Sequence, residues 1–273
     1  MSSLTLSATV MAQNGLLAVL PAEKWERVRE IFKLVFMPLG DVLHEPGMNI
    51  NHIYFPRTSV ISISTVMTDG RADAVTLIGG EGFAGVEAIL GGNSSRCRAV
   101  AIGEGWGYRV RRELLSQECG RVDSMRSVLL RYTQSYLTQV AQTAVCNRHH
   151  SIDRQLCRWL LMFLDRQASG NLELTQEQIA DLMGVRRESI TNAALKLQIA
   201  GFIRYQRGHI QAVDRNALEA HACECYAVCK RETDRLLAIS QRGIGATARS
   251  SSVDGARIER PSYASMDVSP RVA

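Results

Sequence analysis

Apolar positions follow three different spacings along the chain. Leu16, Leu17, Val19 and Leu20 lead to Pro21, and Trp25, Val28, Ile31 and Phe32 recur after it at helical steps, so residues 12–35 read as helical. From Leu34 to about Val110 the spacing changes to short β-branched runs between turn residues: Asp41, Pro46-Gly47, Asp69-Gly70, Gly79-Gly80, Gly91-Gly92-Asn93, Gly103 and Gly105. Ser59 to Val66 alternates apolar with Ser and Thr, Asp69-Gly70 turns the chain, and Ala74 to Ile78 returns, which predicts a hairpin. Several such strands predict an all-β barrel or roll.

From Arg111 the period is helical again. Met125, Leu129, Tyr132, Tyr136, Val140 and Ala144 recur every three or four residues, with no Gly or Pro between Arg121 and Cys146. A helix of that length with one apolar stripe lies on the β-domain or pairs with a second copy of itself, and self-pairing is the expectation here. Ile152, Leu156, Trp159, Leu160 and Phe163 mark a further helix that Ser169-Gly170-Asn171 ends. Beyond Cys229 the chain turns charged, then small and polar, and 231–273 reads as a flexible tail.

The segment from Leu174 to Val213 carries the most chemistry. Thr175 followed three residues later by Gln178 forms a capping box, which satisfies backbone N–H groups at a helix start. Ile179, Leu182 and Met183 form the apolar face of this short helix, and Gly184 supplies a sharp turn. A second helix, 186–199, buries Ile190, Ala194 and Leu197 and ends at Gly201. Phe202–Tyr205 and His209–Val213 then alternate as a two-stranded wing.

Arg186, Arg187, Glu188, Thr191, Asn192 and Lys196 form the polar face of the second helix. Arg can bind guanine O6 and N7 in a bidentate fashion, Glu accepts from cytosine N4, and Asn pairs with adenine N6 and N7. Thr175 and Gln176, at a helix start, suit a phosphate, and Arg207 and His209 on the wing would lie along the backbone. Arg-Arg-Glu on a lone helix is ordinarily a solvated face. A capped helix and a Gly turn before it, and a wing after it, favour a DNA reader.

With those motifs in place, residues 13–222 resemble the CRP/FNR family of bacterial regulators. The resemblance is strongest from Ser151 through Val213, where Arg187 and Glu188 meet the family's paired Arg-Glu. It implies an α+β chain: an N-terminal double-stranded β-helix (jelly-roll-like) sensor domain at 12–118, a long dimerisation helix at 119–147, and a winged helix-turn-helix at 148–230. It implies a homodimer on a pseudo-palindromic DNA site, with RNA polymerase as a further candidate partner. Family members that bind cyclic nucleotides carry Gly-Glu for the ribose and Arg-Ser for the phosphate. The matching stretch here puts Val86 after Gly85 and Cys97 after Arg96, with Glu87 one residue out of register. The purine position on the long helix falls on Gln139 and Val140 rather than Thr-Ser. Gly85, Glu87, Arg96 and Cys97 are therefore the effector-site candidates, in a pocket expected to be degenerate or differently occupied.

No cofactor is predicted. Iron–sulfur ligation is disfavoured because no Cys precedes Cys97, and His44, His52, His149 and His150 read as ordinary histidines rather than haem ligands. His221, Cys223, Cys225 and Cys229 could bind zinc or respond to oxidation, but they lack a CxxC pair and read as plain thiols.

Composition narrows the picture further. A net charge of +5 permits a nucleic-acid partner but scarcely supports non-specific coating of DNA. Seven scattered cysteines, the absence of a basic leader before Lys24 and the lack of a long apolar run point to a cytoplasmic protein without a membrane partner. No nucleophile elbow, P-loop, dinucleotide fingerprint or HExxH is present, so catalysis is not expected. The competing reading is a cyclic-nucleotide-binding-like module acting on a protein partner without specific DNA binding, which predicts no salt-sensitive DNA affinity.

Overall fold

A computed structural model describes residues 14–167, 171–172, 174–206 and 209–243. Helices α1 (Gly15–Ala18) and α2 (Ala22–Val28) open the chain, and a 3-10 turn (Arg29–Ile31) follows. Seven strands come next: β1 (Lys33–Met37), β2 (Val42–His44), β3 (His52–Pro56), β4 (Val60–Val66), β5 (Ala72–Ile78), then, after α3 (Val86–Ile89), β6 (Cys97–Gly103) and β7 (Gly105–Arg111). The expected helical reading of 12–35 therefore stops short, because Lys33–Met37 pairs with β7 in register Lys33↔Arg109 through Met37↔Gly105. The strands form two antiparallel sheets, β1-β7-β3 and β2-β6-β4-β5, and the hairpin at Asp69-Gly70 joins β4 to β5.

Phe32, Phe55, Phe83 and Tyr108 are buried between the sheets, with Trp25 and Leu16 closing one end. Asn14 fastens that end. Its side-chain oxygen caps α1 at Leu16 and Leu17, while Nδ2 donates to Pro56 O at 2.8 Å and Gly82 O at 3.0 Å.

Helix α4 (Arg112–Arg121) leads into α5 (Asp123–His149), with Val122 in an extended conformation between them. The long helix thus begins at 123, not 119. Its stripe of Met125, Leu129, Tyr132 and Tyr136 is buried on the β-roll. The close approach requires Gly82, where any Cβ would overlap the Tyr132 ring. Much of the stripe expected to pair with a second copy is therefore already covered within the chain. A different face of α5 remains open, with Leu130, Leu137 and Val145 at 41%, 55% and 48% exposure.

Helix α6 (Ile152–Leu164) and the short strand β8 (Asn171–Leu172) precede the helix pair α7 (Gln176–Met183) and α8 (Arg187–Ile199). Strands β9 (Ile203–Gln206) and β10 (His209–Ala212) pair antiparallel, and β8 adds to β10 as a third strand. One apolar cluster joins Leu156, Leu160 and Phe163 of α6 to Ile179, Ile190 and Leu197, and also to Val60, Ala74 and Leu77 of the β-roll.

After α9 (Arg215–His221), helix α10 (Glu224–Gly243) runs back along α5. Cys223 faces Cys146, Cys225 faces Gln142, and Thr233 faces Ser135, so the two helices are antiparallel. This corrects the expected tail at 231–273. Residues 231–243 are helical, with Leu236 buried, and the remainder of that stretch lies outside the described residues. Among the described residues no helix is long and apolar enough to cross a membrane.

Candidate DNA interface

The reading helix is held out by its predecessor. Thr175 Oγ1 accepts from Gln178 N at 3.2 Å, and Gln178 Oε1 accepts from Thr175 N at 2.9 Å, so both halves of the capping box form. Gly184 sits at φ 64° and turns the chain. That left-handed conformation is costly for a residue with a Cβ, and here a Cβ would also meet the Asp73 carboxylate on β5. Val185 and Arg186 then lead into α8, whose Ile190, Ala193, Ala194 and Leu197 are buried on α6 and α7.

Arg186, Arg187, Glu188, Asn192 and Lys196 are all exposed. Among the described residues their side chains make no ion pair or hydrogen bond. Glu188, Asn192 and Lys196 follow at four-residue steps and so share one face, with Arg187 and Thr191 beside it. A helix that keeps two guanidiniums, a carboxylate and an amide unpaired around its exposed first turns presents the donor and acceptor types that base edges match.

Gln176 and Thr191 take a different part. Gln176 is only 9% exposed, and Thr191 Oγ1 donates to its Oε1 at 2.8 Å, tying α7 to α8. Gln176 thus positions the reading helix rather than projecting toward a phosphate. Arg207 lies outside the described residues, and only the backbone of His209, in β10, is described. Arg204 on β9 was missed by attention to the wing's tip. Its outward place follows from strand alternation, with Ile203 buried and Arg204 exposed. Leu195 was also missed, an exposed apolar side chain one turn beyond Thr191 that suits a thymine methyl.

Of the effector candidates, Glu87 and the backbone of Cys97 are engaged through Ser95, while Arg96 is exposed. Gly85 adopts φ 106° at the start of α3. Glu87 accepts a hydrogen bond from Ser95, and Ser95 Oγ in turn accepts from Cys97 N at 3.0 Å. Arg96 points to solvent, away from the roll's core. At the purine position, Gln139 Oε1 accepts from Thr76 Oγ1 at 3.0 Å and Arg166 Nη2 at 3.2 Å, so its carbonyl is already spoken for.

A β-roll feeding a long helix into a winged helix-turn-helix defines a class: regulators that join a sensor-like domain to a DNA reader. Family models agree, the cyclic nucleotide-binding domain matching residues 34–121 and the Crp-like helix-turn-helix domain residues 154–221. Together they span more than half of the chain, in the order the fold requires, and the chain belongs to the CRP/FNR family of transcriptional regulators.

Solved structures share the fold. A CRP/FNR-family transcriptional regulator from Thermus thermophilus aligns with a TM-score of 0.55 at 22% identity, over 70% of this chain and 98% of its own. FixK2 from Bradyrhizobium japonicum gives 0.56 at 17% identity, over 71% and 98%. The c-di-GMP responsive global regulator CLP of Xanthomonas campestris gives 0.57 at 17%, over 71% and 100%. No curated protein matches the chain by sequence.

Proposed function

We propose that the protein is a homodimeric, sequence-specific transcription regulator acting in the cytoplasm on a two-fold pseudo-palindromic site. The carrying observation is the unpaired polar face of α8, tied to α7 by the Gln176–Thr191 bond and packed through Ile190 and Leu197. Arg187 and Glu188, in the first turn of α8, enter the major groove first, with Asn192 one turn behind.

The dimer seam is the open face of α5. Leu130, Gln134, Leu137, Ala141 and Ala144 are exposed at alternating steps of four and three, the period of a two-stranded coiled coil. Contact along it would set the spacing of two reading helices. The β-roll then works as a scaffold, or senses something other than a cyclic nucleotide, because Glu87, Ser95 and Cys97 satisfy one another and Val86 replaces the ribose-binding carboxylate. RNA polymerase is the partner on which such a regulator would act.

Selection of bound duplexes from a random DNA pool, with Arg187→Ala in parallel, tests this reading. A symmetric motif that loses preference at one position per half-site in the variant is the expected result. The cost is about 1–3 kcal/mol at that position. Weak, equal binding of both proteins to all sequences, with and without candidate effectors, would overturn it.

A further inference from the structure

Four soft ligands converge where the C-terminal helix meets the long helix. Cys146 and His150 stand one turn apart near the end of α5, and Cys223 and Cys225 flank the start of α10. Their ligand atoms all lie within 4.8 Å of one another, and the three cysteines are buried. Sequence spacing alone grouped Cys223 and Cys225 with His221 and Cys229. The fold separates them: His221 Nε2 is 3.0 Å from Asp153 Oδ2 instead.

We propose that Cys146, His150, Cys223 and Cys225 form a tetrahedral zinc site that clamps α10 to α5. Bond lengths of about 2.3 Å to sulfur and about 2.0–2.1 Å to nitrogen place tetrahedral ligands about 3.8 Å (S to S) and about 3.6 Å (S to N) apart. Cys146 Sγ lies 3.5 Å from Cys223 Sγ, and Cys225 Sγ lies 3.5 Å from His150 Nδ1. Three thiolates with one imidazole are a set that zinc favours in closed sites. An iron–sulfur cluster spreads its ligands over more than one iron and needs a wider polyhedron than this.

The surroundings suit a metal as well. His150 turns Nδ1 to the sulfurs while Nε2 lies 3.3 Å from Glu224 Oε2, the carboxylate–histidine arrangement that orients a metal-bound ring. Gln142 Nε2 donates to Cys225 Sγ at 3.2 Å, as an amide does to a thiolate. Zinc binding releases three thiol protons and leaves a site of net charge −1. Arg158, fully buried, donates through Nη2 to Thr143 at 2.8 Å, one turn before Cys146. Its neighbours are the Trp159 ring, 5.9 Å from the guanidinium carbon, and the Cys229 thiol, and no carboxylate pairs with it among the described residues. A buried cation without a counter-ion is costly, and an anionic zinc–thiolate centre supplies one.

The test uses the full chain, purified without a polyhistidine tag, with metal content read by mass spectrometry and zinc affinity by chelator competition. The expected results are about one zinc per chain, loss of at least about nine-tenths of it in Cys225→Ser, and full retention in Cys119→Ser. Glu224→Gln should weaken zinc about tenfold or more without changing the circular dichroism spectrum. If Cys225→Ser fails to fold, the stoichiometry of the unaltered chain and the Glu224→Gln affinity decide. Metal-free protein that takes up no added zinc, zinc unaffected by Cys225→Ser, resident iron, or a Cys146–Cys223 disulfide in place of metal would each overturn the proposal. None of these readouts depends on DNA binding.

Discussion

Arg187 and Lys196 flank the exposed side of α8 from its two ends and differ in what they can read. Arg187 lies in the first turn of α8, where, on the proposed reading, a bidentate contact to guanine would carry sequence information. Lys196 lies in the last turn, where, on the proposed reading, its point charge would meet phosphate irrespective of sequence. Lys196→Ala should therefore weaken binding to all sequences alike and reduce the slope of log affinity against log salt by about 1 per half-site. A motif changed by Lys196→Ala would reverse that assignment.

His44 illustrates a residue set by burial. Its ring edge meets Tyr54, and Nε2 lies 2.8 Å from His52 O. Burial pushes its pKa below the ordinary 6.5, against the opposing pull of that hydrogen bond and of Glu87. The native fold therefore favours the neutral ring. The stability it contributes is complete above about 6.5 and is lost as pH falls through the depressed native value. Urea midpoints at about pH 7.5 and about pH 5.5 should fall less in His44→Gln than in the unaltered chain. The difference should narrow without vanishing, because His52 shifts in the same direction, also chiefly through burial. An unchanged pH slope would remove His44 from the account.

At the scale of elements, α7 acts as a mount for α8. Its capping box satisfies donors that would otherwise face water at a helix start. Thr175→Ala should cost about 1 kcal/mol of stability, seen as a lower unfolding midpoint. The base preference of the selected DNA motif should stay the same, since α8 keeps its own packing through Ile190 and Leu197. These elements were legible in the sequence because a cap, a glycine turn and a helical period each act within a few residues. The end of the first helical region before Lys33 was not legible, because the partner that fixes the start of β1, β7, lies far along the chain.

For the whole molecule, α5 connects every part. One face is buried on the β-roll, a second takes α10, and the third carries Leu130 and Leu137 into solvent. Leu137→Glu should leave the monomer fold intact, as the site is exposed, and shift sedimentation from dimer to monomer. Affinity for the two-fold site should then fall toward that of a single half-site, as the second reading helix loses its tether. A dimer that survives Leu137→Glu would place the interface elsewhere. The clamp proposed at Cys146 bears on the same helix, joining the last described helix to the one proposed to set the reading-helix spacing.

By itself the sequence determined the order of β-region, long helix and winged helix-turn-helix, and the exposed polar positions of the second helix of that motif. The physical reason is range: caps, turns and periodicities are set by neighbours three or four positions apart. Only the tertiary structure decided which face of α5 each neighbour occupies, that Gln176 braces Thr191, that Glu87 is held by Ser95, and that Cys146 meets Cys223 across 77 positions. A pairing across such a distance leaves no period in the sequence. It exists because the β-roll and α10 both pack against a single long helix, and that packing brings distant thiols to one point.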